Sequence, residues 1–233
     1  MKTVILAGGF GTRLSEYTDT IPKPMVPVGG KPIIEHIMRT YAMYGHNEFI
    51  IALGYKGEII KKYFENFKEN WKIELIDTGA ETLTGGRVKR LEKFIKNETF
   101  FLTYGDGLSD VNINDLLLHH KKNKKIITVT AVRPPARFGS LLIKDSNVIE
   151  FDEKVIKGDN WINGGYFVVE PSIFKYLNGD KEVLEKDPLE KLAQAAEFCA
   201  YKHNGFWQCM DHKVDKDKLD EMCRNKEMLW LRK

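Results

Sequence analysis

Short apolar runs alternate with helical patterns through the first half of the chain. Runs rich in Val, Ile, Phe and Thr, typical of buried strands, occur at 2–7, 48–54, 72–79, 98–107 and 125–132. Segments with apolar residues at helical spacing lie between them, at 31–45, 56–67, 85–95 and 113–123. Strands alternating with helices in this way predict βαβ units, and therefore an α/β fold with a mostly parallel sheet.

The second half of the chain has a different pattern. Residues 138–154 alternate polar and apolar, which predicts two antiparallel strands joined by a polar turn, and 161–171 reads as a further strand. We expect these strands to extend the sheet and to wall a ligand cleft. Residues 182–198 predict a helix broken near Pro188. Repeats, low-complexity tracts and linkers are absent from the sequence, so we predict a single domain over 1–233.

Composition narrows the class of partner. The chain has 233 residues and a formal net charge of +3, a mild bias that suits a phosphate-bearing small molecule better than a nucleic acid. Three cysteines without CxxC spacing argue against a disulfide framework or a structural zinc site. Apolar runs stay below the roughly 20 residues that span a bilayer, so we expect no membrane partner and a cytoplasmic location.

The stretch LAGGFGTRL, residues 6–14, follows the first strand and carries little side-chain bulk. Gly8, Gly9 and Gly11 allow main-chain N–H groups to approach an anion closely. Arg13 offers a forked donor for phosphate oxygens, and Lys23, in PKPM, offers a point charge. The order strand, glycine turn, arginine and lysine predicts a phosphate site at the end of the first strand.

Asp106 stands between two glycines at the end of an apolar run. A carboxylate in that position costs solvation energy unless a positive group lies beside it. Because carboxylates and phosphate oxygens suit Mg²⁺, we expect Asp106 to be a magnesium ligand. Asp211 is a candidate second ligand, but from the residues alone Asp215, Asp217 and Asp220 compete with it.

Five motifs in order carry a family resemblance. LAGGFGTRL with PKPM, DTG…TGGR, TYGDG, INGGYFV and GFWQCMD resemble the sugar-phosphate nucleotidyltransferases, in particular their cytidylyltransferase branch. The resemblance implies a three-layer Rossmann-like fold with a mostly parallel central sheet and an antiparallel acceptor-side extension. It also implies a reaction in which an acceptor phosphate attacks the α-phosphorus of CTP in line and pyrophosphate leaves. The product would be a CDP-activated precursor for surface polysaccharide.

The resemblance assigns roles to individual residues. Arg13 and Lys23 would act in catalysis by stabilising charge on the phosphates, and Asp211 would join Asp106 in holding Mg²⁺. Main-chain groups near Glu81 and Gly86 would read a pyrimidine edge, and Arg87 would stack on it or bind phosphate. The full set implied for the nucleotide is Leu6, Ala7, Gly8, Gly9, Gly11, Thr12, Arg13, Lys23, Glu81, Gly86, Arg87 and Gly105.

On the acceptor side the resemblance points to the segment DEKVIKGDNWINGGYFV. Lys154 would bind the acceptor phosphate, and the remaining acceptor residues would be Glu153, Asn163, Gly164 and Gly165. The chain departs from the family in having Val155 where a proline is usual. It also lacks an insertion that glucose-1-phosphate cytidylyltransferases carry between positions 67 and 71. The resemblance and these departures from it imply glucose 1-phosphate or a smaller polyol phosphate, such as a glycerol phosphate, as the acceptor, and we expect a homo-oligomer.

Three other functional classes could use a nucleotide-binding α/β fold. A relative that uses UTP, dTTP or GTP would share these motifs. A non-catalytic nucleotide-sensing homologue would tend to lose Lys23 or the metal aspartates, and this chain keeps them. A dinucleotide-binding oxidoreductase would need an acidic residue at the end of the second strand. Gly54 and Tyr55 stand there instead, so this class is excluded.

Overall fold

The computed structural model describes residues 1–95, 97–133, 140–144, 147–152 and 160–232. The strands are β1 (Thr3–Ala7), β2 (Pro27–Val28), β3 (Lys31–Pro32), β4 (Glu48–Leu53), β5 (Lys72–Asp77), β6 (Phe100–Tyr104), β7 (Gly107–Ser109), β8 (Ile127–Val132), β9 (Ser140–Lys144), β10 (Asn147–Asp152), β11 (Ile162–Val169), β12 (Phe198–His203) and β13 (Trp207–Cys209). The α-helices are α1 (Ser15–Thr18), α2 (Ile33–Ala42), α3 (Gly57–Glu65), α4 (Thr84–Arg90), α5 (Glu92–Ile95), α6 (Ile113–Asn123), α7 (Asp187–Gln194) and α8 (Lys213–Arg224).

A seven-stranded sheet in the order β12-β8-β11-β6-β1-β4-β5 forms the centre. The strands β6, β1, β4 and β5 pair in parallel, as do β8 and β12. Strand β11 pairs antiparallel with both β6 and β8. The predicted α/β fold with a mostly parallel sheet is therefore confirmed.

Helices cover both faces of this sheet. Along β1, Ile5 and Ala7 belong to one hydrophobic cluster, which also buries residues of α2, α6 and α8. The alternating residues Val4 and Leu6 belong to a second cluster, which buries residues of α4 and α7. Because successive strand residues point to opposite faces, one apolar run serves two cores, and three layers result.

Two predictions for the second half need correction. Pro188 does not break a helix: it lies in the first turn of α7, where the missing N–H has no intrahelical partner to lose. Strands β9 and β10 form an antiparallel pair as expected, but they make a two-stranded sheet of their own. Within the described residues, β11 supplies the antiparallel extension of the central sheet.

The connection from α3 to β5 is closed by aromatic packing. The rings of Phe67 and Trp71 lie 5.3 Å apart, and Trp71 also packs against Phe49. Arg39 lies over the Trp71 ring and pairs with Glu69 at 2.8 Å. This compact turn occupies the place where the family resemblance led us to expect an insertion.

Within the part of the chain that the structure describes, every helix falls short of the length and apolar character needed to cross a membrane.

Candidate active site

The site lies at the edge of the sheet where β1 and β6 end. Leu6 is in register with Tyr104, so the turn after β1 and the turn after β6 leave the sheet side by side. Strand β11 runs the other way, so its first residues, including Asn163, meet this same edge. Parallel sheets of this kind bind ligands beyond the carboxyl ends of their strands.

A cavity of about 640 Å³ opens at this edge. Its volume lies in the range of small-molecule sites. Twelve of the residues that the sequence singled out line it: Leu6, Ala7, Gly8, Gly9, Gly11, Arg13, Lys23, Glu81, Arg87, Gly105, Asp106 and Asn163. Thr12 and Gly86, although predicted to bind the nucleotide, do not line it.

Lys23 is the electrostatic centre of the site. Its Nζ lies 2.6 Å from a carboxylate oxygen of Asp106 and 2.8 Å from one of Asp211. Arg13 donates to the other oxygen of Asp211 at 2.6 Å. Two cations and two carboxylates that are far apart in sequence therefore converge on one point, as the phosphate and metal assignments require.

Burial and charge act in opposite directions on these groups. Burial disfavours the charged Lys23 ammonium, but the charges and hydrogen bonds of Asp106 and Asp211 outweigh it and raise the pKa of Lys23. Burial likewise disfavours the Asp211 carboxylate, but the hydrogen bond and charge of Lys23, with a further contribution from Arg13, lower the pKa of Asp211. Lys23 and Asp211 therefore stabilise each other's charged forms.

A short antiparallel pair brings the two aspartates together. Cys209 of β13 is in register with Gly107 of β7, so Asp106 stands just before one strand and Asp211 just after the other. The N–H of Met210 also donates to the main-chain oxygen of Asp106 at 2.8 Å. Neither strand has enough apolar residues to be predicted from sequence.

The other three aspartates of this region have different partners. Asp215 accepts hydrogen bonds from the N–H groups of Asp211 and His212 and so fixes the turn into α8. Asp217 pairs with Lys213, and Asp220 with Lys216. Asp211 alone of the four contacts Lys23.

Arg87 lines the cavity, but its hydrogen bonds go to the protein. Its guanidinium is buried and donates to the main-chain oxygens of Gly8, Leu53, Gly79 and Ala80 at 2.7–3.1 Å. Burial lowers the pKa of Arg87. It therefore ties the turn after β1 to the segment after β5. Its stacking on the base or contact with phosphate stays a prediction.

Gly86 has a packing reason to be glycine. A side chain there would come within 2.6 Å of the Asp180 main chain, and the Gly86 N–H faces the oxygen of Glu182 at 3.3 Å. Leu83 and Gly85 donate to the oxygens of Asp180 and Glu182. In the structure the segment 179–184 lies on that side of α4, and the reading of a base by main chain near Glu81 and Gly86 stays a prediction.

A smaller cavity of about 210 Å³ adjoins the first and shares Arg13, Asp106 and Asn163 with it. Its walls include Gly164 and Gly165, two of the predicted acceptor residues, and Asp211. Gly165 has φ +80°, and a side chain there would meet the Tyr104 ring at 2.7 Å. The other two predicted acceptor residues, Glu153 and Lys154, lie outside the described residues, as does Val155.

Among the cavity residues that the sequence analysis did not single out, Tyr104, Thr84 and Glu185 form one hydrogen-bonded group. Tyr104 donates to Glu185 at 2.6 Å, and Thr84 donates to the other oxygen of Glu185 at 2.6 Å. The Asn163 side-chain amide donates to the Tyr104 hydroxyl at 3.0 Å. Tyr104 and Thr84 stand inside motifs that were recognised, but nothing in the sequence marks Glu185.

The two aspartates are chemically suited to a hard divalent cation. In the structure a lysine ammonium stands between their oxygens, which shows that the pair accommodates a cation. Within the described residues, groups of three or more His, Cys, Asp or Glu side chains close enough to hold a metal are absent. Asp106 and Asp211 would therefore supply two ligands, and phosphate oxygens and water the rest.

Comparisons with known proteins all point to one family. Residues 2–210 match the model of the nucleotidyl transferase family. The chain is 44% identical over 254 aligned residues to the glucose-1-phosphate cytidylyltransferase of Salmonella typhimurium, covering 99% of this chain and 98% of the relative. It is 35% identical to the D-glycero-alpha-D-manno-heptose 1-phosphate guanylyltransferase of Campylobacter jejuni, over 83% of this chain and 85% of that protein.

A solved structure agrees with this assignment. HddC from Yersinia pseudotuberculosis superposes with a TM-score of 0.76 at 28% identity, covering 94% of this chain and 98% of that one. The 254 positions aligned with the Salmonella protein exceed the 233 residues of this chain, so that relative carries residues without a counterpart here.

Proposed function

The chain belongs to the nucleotidyl transferase family, and from this premise we propose that it transfers CMP from CTP to a small sugar phosphate or polyol phosphate and releases pyrophosphate. One observation carries the proposal: Lys23 stands between Asp106 and Asp211 at the mouth of the glycine-turn cavity. A triphosphate lying along that turn has its charged end against this cluster.

The side chains around the turn would act by position and charge. Main-chain N–H groups of 8–11 approach the triphosphate, and Arg13, with a side chain 64% exposed, is free to rotate from Asp211 onto phosphate oxygens. Lys23 holds its proton firmly and stabilises the charge that develops as pyrophosphate leaves. Such transfers need little covalent chemistry from the protein, so orientation and charge supply most of the rate.

We propose that the enzyme depends on Mg²⁺ held by Asp106 and Asp211. The ion would neutralise phosphate charge and orient the α-phosphate. With Asp106 and Asp211 holding the ion, the Lys23 ammonium would bind the phosphates of the nucleotide. The buried stem of Lys23 in the 3₁₀ turn Lys23–Met25 keeps the ammonium within reach.

The choice of cytosine rests on similarity. The Salmonella relative named for cytidylyl transfer matches nearly the whole chain, whereas the Campylobacter relative named for guanylyl transfer matches less of it at lower identity. The same comparison favours glucose 1-phosphate as acceptor. The shorter chain keeps a glycerol phosphate or another polyol phosphate as the second candidate.

A matrix of nucleotides and acceptors tests the proposal. Pyrophosphate release is measured with CTP, UTP, dTTP or GTP, each with glucose 1-phosphate or a glycerol phosphate, in the presence of Mg²⁺. We expect kcat/KM for CTP to exceed that for each other nucleotide at least about tenfold. A faster rate with another base would refute the cytidylyl assignment. Nucleotide binding without pyrophosphate release under all conditions would favour a sensing protein.

A further inference from the structure

The cavity contains a carboxylate that the proposed chemistry does not use. Glu185 stands just before α7, in the segment that packs on the first turn of α4. It lines the same cavity as the glycine turn and Asp106. A carboxylate there is unsuited to phosphate, because like charges repel, so its partner in a ligand must be a hydrogen-bond donor.

Two hydroxyl groups fix the Glu185 side chain. One carboxylate oxygen accepts from Tyr104 and the other from Thr84, both at 2.6 Å. The Tyr104 hydroxyl itself accepts from the Asn163 amide, and the Thr84 hydroxyl accepts from the N–H of Leu184. Each hydroxyl has a single proton and each donates it to Glu185. Burial and the Glu185 charge raise the pKa of Tyr104, so it remains a donor at neutral pH.

With both hydroxyl protons used in this way, Glu185 can only accept further hydrogen bonds on the side of the cavity. An ionised carboxylate has about four lone-pair positions, of which Tyr104 and Thr84 occupy two. The remaining positions on a fixed, half-buried carboxylate are satisfied best by hydroxyl groups of a ligand, and charge-assisted hydrogen bonds of this kind are the strong ones.

The position of Glu185 indicates which part of the ligand supplies those hydroxyls. Through Tyr104 it is connected to Asn163, at the start of β11, where the cavity passes into the smaller pocket beside Asp106. Tyr104 is only two residues from Asp106 along the chain. Tyr104 and Asn163 also line the smaller cavity, together with the predicted acceptor residues Gly164 and Gly165, so a hydroxyl group beside Glu185 belongs to the uncharged part of the acceptor.

We propose that Glu185 accepts hydrogen bonds from hydroxyl groups of the acceptor and is a specificity-determining residue for a polyhydroxylated, sugar-like acceptor. The inference rests on the proposed function and deepens it. An acceptor analogue that lacks the matching hydroxyl would leave the Glu185 carboxylate without a hydrogen-bond partner, and binding of that analogue would be weaker. Glu185 therefore affects the choice of acceptor more than the rate of transfer.

The test combines a protein substitution with deletions in the substrate. Glu185→Gln is compared with wild type, and Glu190→Gln, on the exposed face of α7, is the matched control. KM and kcat are measured for glucose 1-phosphate and for its 2-, 3-, 4- and 6-deoxy analogues at saturating CTP. KM for CTP is measured at saturating glucose 1-phosphate.

We expect Glu185→Gln to raise the KM for glucose 1-phosphate about tenfold or more, because a hydrogen bond to a charged group is lost. KM for CTP should change less than about twofold by the same reasoning. At least one deoxy analogue should be a poor substrate for wild type and should suffer little further loss in Glu185→Gln. Glu190→Gln should match wild type.

Each other result overturns the inference. An equal loss for every analogue would mean that Glu185 acts only by holding Tyr104 and Thr84, and a rise in the KM for CTP would place it beside the base. Unchanged kinetics in Glu185→Gln would contradict the inference and leave the proposed function standing. If wild type neither turns over glucose 1-phosphate nor binds CDP-glucose in calorimetry, the proposed function fails and the inference fails with it.

Discussion

At the level of single residues, neighbouring glycines in the turn after β1 have different reasons to be glycine. A side chain at Gly8 would come within 2.2 Å of the buried Arg87 guanidinium. A side chain at Gly9 would meet no protein atom within 4 Å, because it faces the open cavity. We therefore expect the absence of a side chain at Gly8 to matter for the fold, and its absence at Gly9 to matter for binding of the ligand.

This difference predicts two distinct outcomes. Gly8→Ala must displace Arg87 from its carbonyl partners, so we expect it to lower the free energy of unfolding by about 1–3 kcal/mol. Gly9→Ala should leave the melting temperature unchanged and raise the KM for CTP. Thermal unfolding and CTP kinetics of both variants check this. Equal losses of stability would contradict the distinction.

Lys23, which is predicted to contact phosphate, is buried between two carboxylates in the structure. Lys23→Ala removes the charge that the transferring phosphates need, so we expect turnover to fall at least about a hundredfold. The variant also leaves Asp106 and Asp211 facing each other without a cation. Its melting temperature should drop and should recover on addition of Mg²⁺ more than that of wild type.

Lys213→Ala is the matched control for this variant, because Lys213 is exposed and pairs with Asp217 on the surface of α8. It should keep full activity and show the wild-type response to Mg²⁺. Near-normal turnover by the Lys23→Ala protein would refute the role assigned to Lys23.

At the level of secondary structure elements, α2 is anchored by a buried acid. Glu35 is 3% exposed and accepts hydrogen bonds from Lys31, Arg39 and Tyr63. Burial alone would raise the pKa of Glu35, but these three donors outweigh it and lower the pKa. Glu35 thus holds α2 against α3 and the turn at 67–71 through Tyr63 and through Arg39, which also binds Glu69.

The lowered pKa gives a pH dependence with a defined sign. The stabilising contribution of Glu35 is complete above its unfolded pKa, about 4.3, and is lost as pH falls through the lower folded value. Glu35→Gln should therefore reduce the free energy of unfolding at pH 7 by about 1–3 kcal/mol. The difference from wild type should shrink as the pH drops below about 4.

Denaturant unfolding at several pH values measures this, with Glu58→Gln, at an exposed position of α3, as control. A difference between Glu35→Gln and wild type that grows as pH falls would be the opposite of what these contacts require.

Elements with strong local signals were predictable, and those fixed by distant partners were not. The apolar runs of β1, β4, β6 and β8 could be predicted because burial on both faces demands such runs. The short strands β7 and β13 exist only as a pair, and neither has a local pattern. Pro188 was predicted to break a helix, because proline is incompatible with a helix interior. Proline is compatible with the first turn, and Pro188 lies there.

The candidate site follows the same division. The convergence of Lys23 with Asp106 was predictable, because the turns after parallel strands share one edge of the sheet. Selection of Asp211 over Asp215 needed the family resemblance, since the contact is set by the β7–β13 pair. Glu185 could not be found, because its partners Tyr104 and Thr84 lie 81 and 101 positions away in sequence.

At the scale of the whole molecule, the site is assembled from segments spread over most of the chain. The glycine turn, the segment at 80–87, the end of β6 and the start of β11 each contribute one wall. The compact turn at 67–71 leads into the amino end of β5, which lies at the opposite edge of the sheet from the carboxyl ends of β1 and β6. Among the described residues, those that line the cavity do not include any from this turn.

The proposed function depends most on one feature, a shared site for the nucleotide and a divalent cation at Lys23, Asp106 and Asp211. The direct measurement is calorimetric titration of CTP into wild type and into Asp106→Asn, each with and without Mg²⁺. We predict that Mg²⁺ strengthens CTP binding to wild type by at least about tenfold and has little effect on the variant. Equal Mg²⁺ enhancement in both proteins would contradict the account.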